Sequence, residues 1–298
     1  MEIEIKLLLA PTGAYKRVCD WQLPSQLQQQ RTDLLGNIYF DTPAQTLRKL
    51  DMGLRIRRRG TQREMTLKTA GKVCGGLHAR PEYNVDVAAE RPDLSLFESG
   101  LFSPAEVARL NAELVPLFAT DFERQQGVLQ IADATVELAL DQGSISAEGA
   151  ELTIAELELE LIEGEAKALL PLVATLMQQQ PLRLGLDSKA ARGYRLAQLQ
   201  APAAIATRWP ASADGVLSAW QRNEERLLAG EIAALAPLLQ LWQQAQHWLD
   251  GSEQQWLAQA QQQLQCGDNG SEALARLLQQ PQYGLCQLAL LRAWLLQE

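Results

Sequence analysis

Residues 1–10 read MEIEIKLLLA, with Glu2, Glu4 and Lys6 on alternate positions and Ile3, Ile5 and Leu7 between them. Successive side chains of a strand point to opposite faces, so the charges share one face and the aliphatics the other. The aliphatic face is for packing. Where the charged face points decides the fold.

The pattern recurs along the first two hundred residues. In GLRIRRRG (53–60), Arg55 and Arg57 flank Ile56; in REMTLKTA (63–70), Glu64, Thr66 and Lys68 oppose Met65 and Leu67. In PEYNVDV (81–87), Glu82, Asn84 and Asp86 oppose Tyr83, Val85 and Val87. In AELELELIEG (155–164), Glu156, Glu158 and Glu160 oppose Leu157, Leu159 and Leu161, and Asp141 keeps the parity of Glu137. An antiparallel sheet with one wet face explains any single strand of this kind. Two features argue for more. Signs are segregated within strands, and like unit charges about 4 Å apart repel by about 4 kcal/mol at an effective dielectric near 20. Groups of opposite sign must face them. If the sheet closes on itself, acidic and basic strands look at each other across a lumen. Clustered glutamates then suit hard divalent cations, and an arginine–lysine lining suits phosphate.

The 298 residues suit one large domain or two ordinary ones, and 47% hydrophobic residues suffice for a full core. A net charge of −9 argues against bulk binding to nucleic acid or anionic membranes, yet allows a basic pocket within an acidic shell. Four scattered cysteines with no C-x-x-C pair point to reduced thiols in a cytoplasmic protein. No apolar run has the length of a membrane span, and the acidic start does not read as a signal peptide.

Period-two segments predict strands at EIEIKLLL, GNIYFDT, LRIRRR, REMTLKTA, EYNVDV, GVLQIADATVELALDQG and ELTIAELELELIEG. Helices are expected around Thr12–Gln29, over SPAEVARLNAELVPLF behind a Ser103 cap, and over GEAKALLPLVATLMQQQ. Beyond the Ala/Pro-rich stretch 201–212, read as a linker, alternation ceases. Trp220, Leu227, Leu228, Ile232, Leu235, Leu239 and Trp242 then fall at helical spacing. Ser252-Glu253 and Ser271-Glu272 read as helix starts, Gly251 and Gly267 as stops. The expected organisation is a charged β domain over 1–200 and a helical domain over 213–298.

MEIEIK is similar to the E-x-E-x-K signature of the CYTH family, the triphosphate tunnel metalloenzymes. YFDTP (39–43), LRKLDMGLRIRRRG (47–60), TLK (66–68), ELELEL (156–161) and SKAARGYRL (188–196) follow in the family's order. The resemblance covers roughly residues 1–200. It implies an α+β fold built on a closed eight-stranded antiparallel barrel, a tunnel with flanking helices, followed here by a small all-α region. Carried over residue by residue, it makes Glu2, Glu4, Glu156, Glu158 and Glu160 ligands of Mg²⁺ or Mn²⁺. It places Lys6, Arg55, Arg57, Lys68, Arg124, Arg183, Lys189 and Arg192 on the triphosphate, with Glu2, Glu4 and Lys6 in the catalytic set. Arg59, Glu82 and Asp141 are further candidates. Cys19, Cys74, His78 and His247 read as structural or surface residues. Neither a Ser-His-Asp or Cys-His arrangement nor a P-loop is present: AGKVCGG (70–76) lacks the spacing.

The resemblance implies a cytoplasmic enzyme acting on a small-molecule triphosphate, with no nucleic-acid or membrane partner. Inorganic triphosphatase is favoured, since bacterial members with an appended helical region, often of the CHAD type, resemble such enzymes. A nucleoside or thiamine triphosphatase, a class IV adenylate cyclase and a non-catalytic polyphosphate sensor are the alternatives. The tail, with His247 as its single histidine and no lysine, lacks the CHAD pattern of histidines and arginines and reads as a shortened form or a packing module.

Overall fold

The computed structural model describes residues 2–10, 27–97, 100–131, 133–267 and 269–296. Strands β1 (Glu2–Leu9), β2 (Gln28–Asp41), β3 (Gly53–Arg59), β4 (Gln62–Lys68), β5 (Lys72–Cys74), β6 (Leu77–Arg80), β7 (Glu82–Asp86), β8 (Val115–Ile131), β9 (Ala134–Ala147), β10 (Ala150–Glu163) and β11 (Leu182–Leu184) form one sheet. Its order is β5-β6-β1-β10-β9-β8-β2-β3-β4-β7, with β11 on β1, and every pairing is antiparallel. Strands β2, β8, β9 and β10 run 14 to 17 residues, long enough for their twist to curl the sheet around its charged face.

The helices are α1 (Thr46–Lys49), α2 (Pro104–Glu113), α3 (Leu169–Gln179), α4 (Lys189–Leu196), α5 (Ala213–Leu228), α6 (Leu235–Ala245), α7 (Gly251–Cys266), α8 (Gly270–Leu277) and α9 (Pro281–Leu295). Residues 201–212 hold neither helix nor strand. The aliphatic face of the opening stretch behaves as its pattern requires. Ile5, Leu7, Leu157 and Leu159 are fully buried in one cluster with Val173 of α3, Trp220 of α5, Trp242 of α6 and Leu290 of α9. One core thus spans sheet and tail. Gly284 of α9 makes part of that contact: a Cβ there would stand 1.9 Å from the Leu182 carbonyl oxygen, so only glycine lets the helix touch β11. A second cluster joins Phe40, Ile56, Met65 and Leu67 to Leu110 of α2.

Several local expectations needed correction. Gln28 and Gln29 start a strand, while the rest of the expected helix from Thr12, Cys19 included, falls largely outside the described residues. Helix α2 has the expected Ser103 cap, which Glu106 completes as a capping box, but stops at Glu113, and VPLF pairs in β8. Asp250 caps α7, making Gly251 its first turn instead of a stop, and Asn269 caps α8. Ile232 is exposed in a 3-10 turn. The β5–β6 hairpin and β11 had too few residues to show a period.

Candidate functional site

The charged face of β1 is enclosed. Glu4 is 9% exposed and Lys6 1% exposed, on the wall of a cavity of about 1620 Å³ inside the curl. Lys and Arg outnumber Asp and Glu along that wall by 16 to 13, whereas the whole chain has 36 acids against 27 cations. The cavity is therefore basic within an acidic protein, the arrangement an anionic ligand requires.

Register explains who meets whom. Glu4 lies opposite Glu160 and Lys6 opposite Glu158 across β1–β10. Glu160 in turn faces Glu137, and Glu156 faces Asp141, across β10–β9. Asp141 faces Arg124 across β9–β8. Arg57 pairs with Asn37 on one side and Glu64 on the other.

Two electrostatic zones result. In the inner zone Lys6 bonds Glu156 at 3.0 Å and also Glu158. Lys189 reaches Glu156 at 2.5 Å, Asp141 at 2.6 Å and Glu158 at 3.0 Å. Arg124 forks onto Asp141 at 2.7 and 2.6 Å and meets Glu158 at 2.5 Å; Arg192 holds Glu156. Burial alone would raise the Glu158 carboxyl, but Lys189, Lys6 and Arg124 hold it well below the usual range. Glu156, similarly, is held at about 2 against burial by Arg192, Lys189 and Lys6. Oxygens of Asp141, Glu156 and Glu158 lie within 4.8 Å of one another, as metal ligands do, yet four cations already share them.

The outer zone is short of positive charge. Lys68 bridges Glu2 at 2.5 Å and Glu82 at 2.9 Å, while Arg55 stands 3.9 Å from Glu82. Burial, with Glu4 and Glu82 nearby, raises Glu2 to about 7 despite Lys68. Burial, Glu137 and Glu4 raise Glu160 as well. Crowded, desolvated carboxylates of this kind are what a hard cation neutralises. Arg57 has the complementary deficit. Its Nε donates to Asn37 Oδ1 at 3.0 Å, and among the described residues no carboxylate lies within ion-pair distance. Burial, Arg55 and Arg124 push it down to about 10.

Helix α4 completes the wall. Ser188 caps it, and it packs over Phe118 and Phe122 on the inner face. The Phe122 ring lies under Lys189 Nζ, 5.1 Å from its centroid, and a Cβ at Gly193 would stand 2.1 Å from the Phe118 ring. Asp41 ties α4 to the YFDTP turn. Its carboxylate accepts the backbone N–H groups of Thr42, Leu47 and Arg48 and, at 3.1 Å, the Tyr194 hydroxyl.

Most of the expected residues converge on this cavity, with four qualifications. Glu156 and Asp141 are fully buried behind its wall. Arg59 lies half-exposed toward the rim, bonded to Gln62 at 3.0 Å. Arg183 borders the cavity but gives its guanidinium to Glu224 and Glu225 of α5. His78 is buried with a ring nitrogen 3.4 Å from the Gly185 carbonyl oxygen, and burial lowers its pKa. Two residues absent from the expected set join it, Glu137 on the cavity wall and Asn37 buried and bonded to Arg57. Glu137 was marked by its parity with Asp141, and Asn37 by a polar side chain between Leu35 and Tyr39.

A curled antiparallel sheet around a basic cavity, with carboxylates on facing strands, defines the class of protein. The CYTH domain model matches residues 1–194, and the chain belongs to that family. The inorganic triphosphatase of Haemophilus influenzae is 36% identical over 204 residues, which are 67% of this chain and 56% of the relative. The chain thus spans little more than half the length of that curated protein. A solved structure from Hippeastrum, of an adenylyl cyclase candidate described as revealing a dominant triphosphatase activity, matches at a TM-score of 0.50 and 22% identity. That match covers 65% of this chain and 96% of the other, and it shows a shared fold. No helix among the described residues is long and apolar enough to cross a membrane.

Proposed function

We propose that the chain hydrolyses inorganic triphosphate to pyrophosphate and phosphate, with a divalent cation, inside a closed tunnel. One observation carries the reading: charge of both signs is left short of partners on one cavity, a guanidinium at Arg57, a carboxylate at Glu160, and Glu2 and Glu82 sharing the single ammonium of Lys68. A metal-complexed polyanion supplies both missing partners. The name and 36% identity of the Haemophilus influenzae relative favour inorganic triphosphate over other triphosphates. Tunnel closure is supported by the chain path: β6 pairs with β1, β7 pairs with β4, and only Pro81 separates β6 from β7. Taken as one bent strand, they complete a circuit of eight rungs.

Glu2, Glu4 and Glu160 fit the metal best, with Glu158 at the boundary of the zones. Their oxygens suit Mg²⁺ or Mn²⁺ alike. Bound there, the metal would neutralise phosphoryl oxygens and make a water more acidic. Arg55, Arg57, Lys68, Arg124, Lys189 and Arg192 hold the chain of phosphates and offset the charge that builds on it. Lys6 keeps Glu158 aimed into the cavity. A carboxylate beside the metal would take the proton of the attacking water as the water oxygen bonds the terminal phosphorus and pyrophosphate leaves.

The test is phosphate release from inorganic triphosphate, ATP and thiamine triphosphate under Mg²⁺ or Mn²⁺, with a chelator control. Preference for inorganic triphosphate that the chelator abolishes is expected. Cyclic AMP formed from ATP, or binding without phosphate release, would replace the reading by a cyclase or a sensor.

A further inference from the structure

Helix α5, from the tail, supplies a wall of the cavity that no strand provides. Ser218, Gln221, Arg222, Glu225, Arg226 and Ala229 border it, spaced as one helical face. Across from them lies Arg183 on β11, opposite Leu8 of β1 and 8% exposed. Its Nη1 donates to Glu224 Oε1 at 2.6 Å and to Glu225 Oε1 at 2.8 Å, while its buried Nε has no hydrogen-bond partner among the described residues.

The two carboxylates are not equivalent. Glu224 is fully buried, and its other oxygen accepts the Tyr283 hydroxyl at 2.5 Å and the Gln287 amide at 2.8 Å. It anchors Arg183 to the tail whatever the cavity contains. Glu225 is half-exposed, at 50%, and borders the cavity itself. Glu224 already pairs with the guanidinium from within the core; the second carboxylate puts its negative charge on the wall itself. On the same helix Arg226 is taken by Glu231 at 2.5 Å. Arg183 and Arg226 are thus held by Glu224, Glu225 and Glu231, while the exposed Arg222 has no ion pair among the described residues; the three arginines and three glutamates of this end sum to no net formal charge. The strand-built end, in contrast, keeps the uncompensated Arg57.

Resting on the triphosphatase reading above, we propose that Glu225 determines the length of substrate accepted. By occupying Arg183 and offsetting the charge of Arg222 on the α5 wall, it withholds Arg183 from a fourth phosphate and repels that phosphate. A linear chain of three phosphates is held by the strands; a longer chain must enter this neutral end and meet a carboxylate. Discrimination of this sort works by what the site refuses.

Glu225→Gln keeps the shape and removes the charge at a half-exposed position. Its kcat/KM for inorganic tetraphosphate relative to triphosphate should rise by roughly tenfold, with triphosphate turnover within about twofold of the parent, an exposed-to-half-buried charge being worth about one factor of ten. Glu225→Lys should move the ratio further the same way. Asp214→Asn, on α5 but away from the cavity wall, changes net charge equally and should leave the ratio alone. Calorimetric affinities for the two chains, measured in chelator, give the same ratio without turnover. An unchanged ratio in both Glu225 variants overturns the proposal while triphosphate hydrolysis by the parent keeps the reading. An equal shift in Asp214→Asn overturns it too. A parent that does not hydrolyse triphosphate overturns the reading, and the binding ratio then decides the role of Glu225 by itself.

Discussion

Lys68 Nζ lies 2.5 Å from Glu2 Oε2, joining β4 to β1, two strands that share no ladder. The contact joins strands from opposite ends of the sheet order, and Lys68 also holds Glu82 of β7 at 2.9 Å. It shows how the opening stretch is satisfied: the first glutamate of the chain faces a lysine 66 residues away, across an interior.

That interior makes stability depend on pH with a known sign. The Glu2 carboxyl titrates at about 7 in the fold against an ordinary 4.5. A raised folded value means that its contribution is fully present below about 4.5 and is lost as pH rises through about 7. Glu2→Gln should therefore shrink the drop in unfolding free energy between pH 5 and pH 8 by about 1–3 kcal/mol. Urea midpoints of both proteins at the two pH values measure it; equal drops would assign the titration elsewhere, Glu160 and Glu224 being raised as well.

Arg57→Ala should separate binding from stability. The side chain loses one hydrogen bond to Asn37 but relieves repulsion from Arg55 and Arg124. The urea midpoint should stay within about 1 kcal/mol of the parent, while KM for triphosphate rises tenfold or more. An unchanged KM would remove Arg57 from the phosphate contacts.

Glu4→Gln and Glu158→Gln should both abolish metal-dependent hydrolysis, yet differ as folds. Among the described residues Glu4 has one cation within ion-pair distance, Lys6 at 3.9 Å. Glu158 serves Lys6, Lys189 and Arg124, and its neutralisation strands buried charge at a cost of about 3–5 kcal/mol. Thermal melts alongside phosphate release distinguish the two, and turnover retained by Glu4→Gln at saturating Mg²⁺ or Mn²⁺ would sink its role as a ligand.

Asp41→Ala should lower stability by roughly 3 kcal/mol and Tyr194→Phe by about 1 kcal/mol, since the first strips partners from three backbone N–H groups, two of them buried, and the second loses one bond. Denaturant titration checks the order, which reverses if Tyr194 holds α4 in place without Asp41.

Removing residues 201–298 should leave a fragment that binds a hydrophobic dye and aggregates. The leucine face of β1 and β10 shares its core with Trp220, Trp242 and Leu290, and exposed apolar patches of that size associate. A monomeric, dye-silent fragment would show that the sheet closes its own core.

What the sequence determined by itself is local and periodic. Alternation in EIEIK, LRIRR and ELELEL fixed which side chains share a strand face, because the period of two follows from backbone geometry alone. Ser103 likewise marked its helix, since a cap bonds within its own turn. Tertiary structure decided everything that depends on partners distant in sequence. Lys6 and Glu158 are 152 residues apart, and only the β1–β10 register makes them a pair. Arg183 looked like the other cavity cations in sequence, but the tail folding onto β11 gave its charge to Glu224 and Glu225. Charge compensation depends on distance and burial, and strand periodicity encodes neither. The chain spells out which residues share a face, and folding decides which face turns inward and which of its charges remain unpaired.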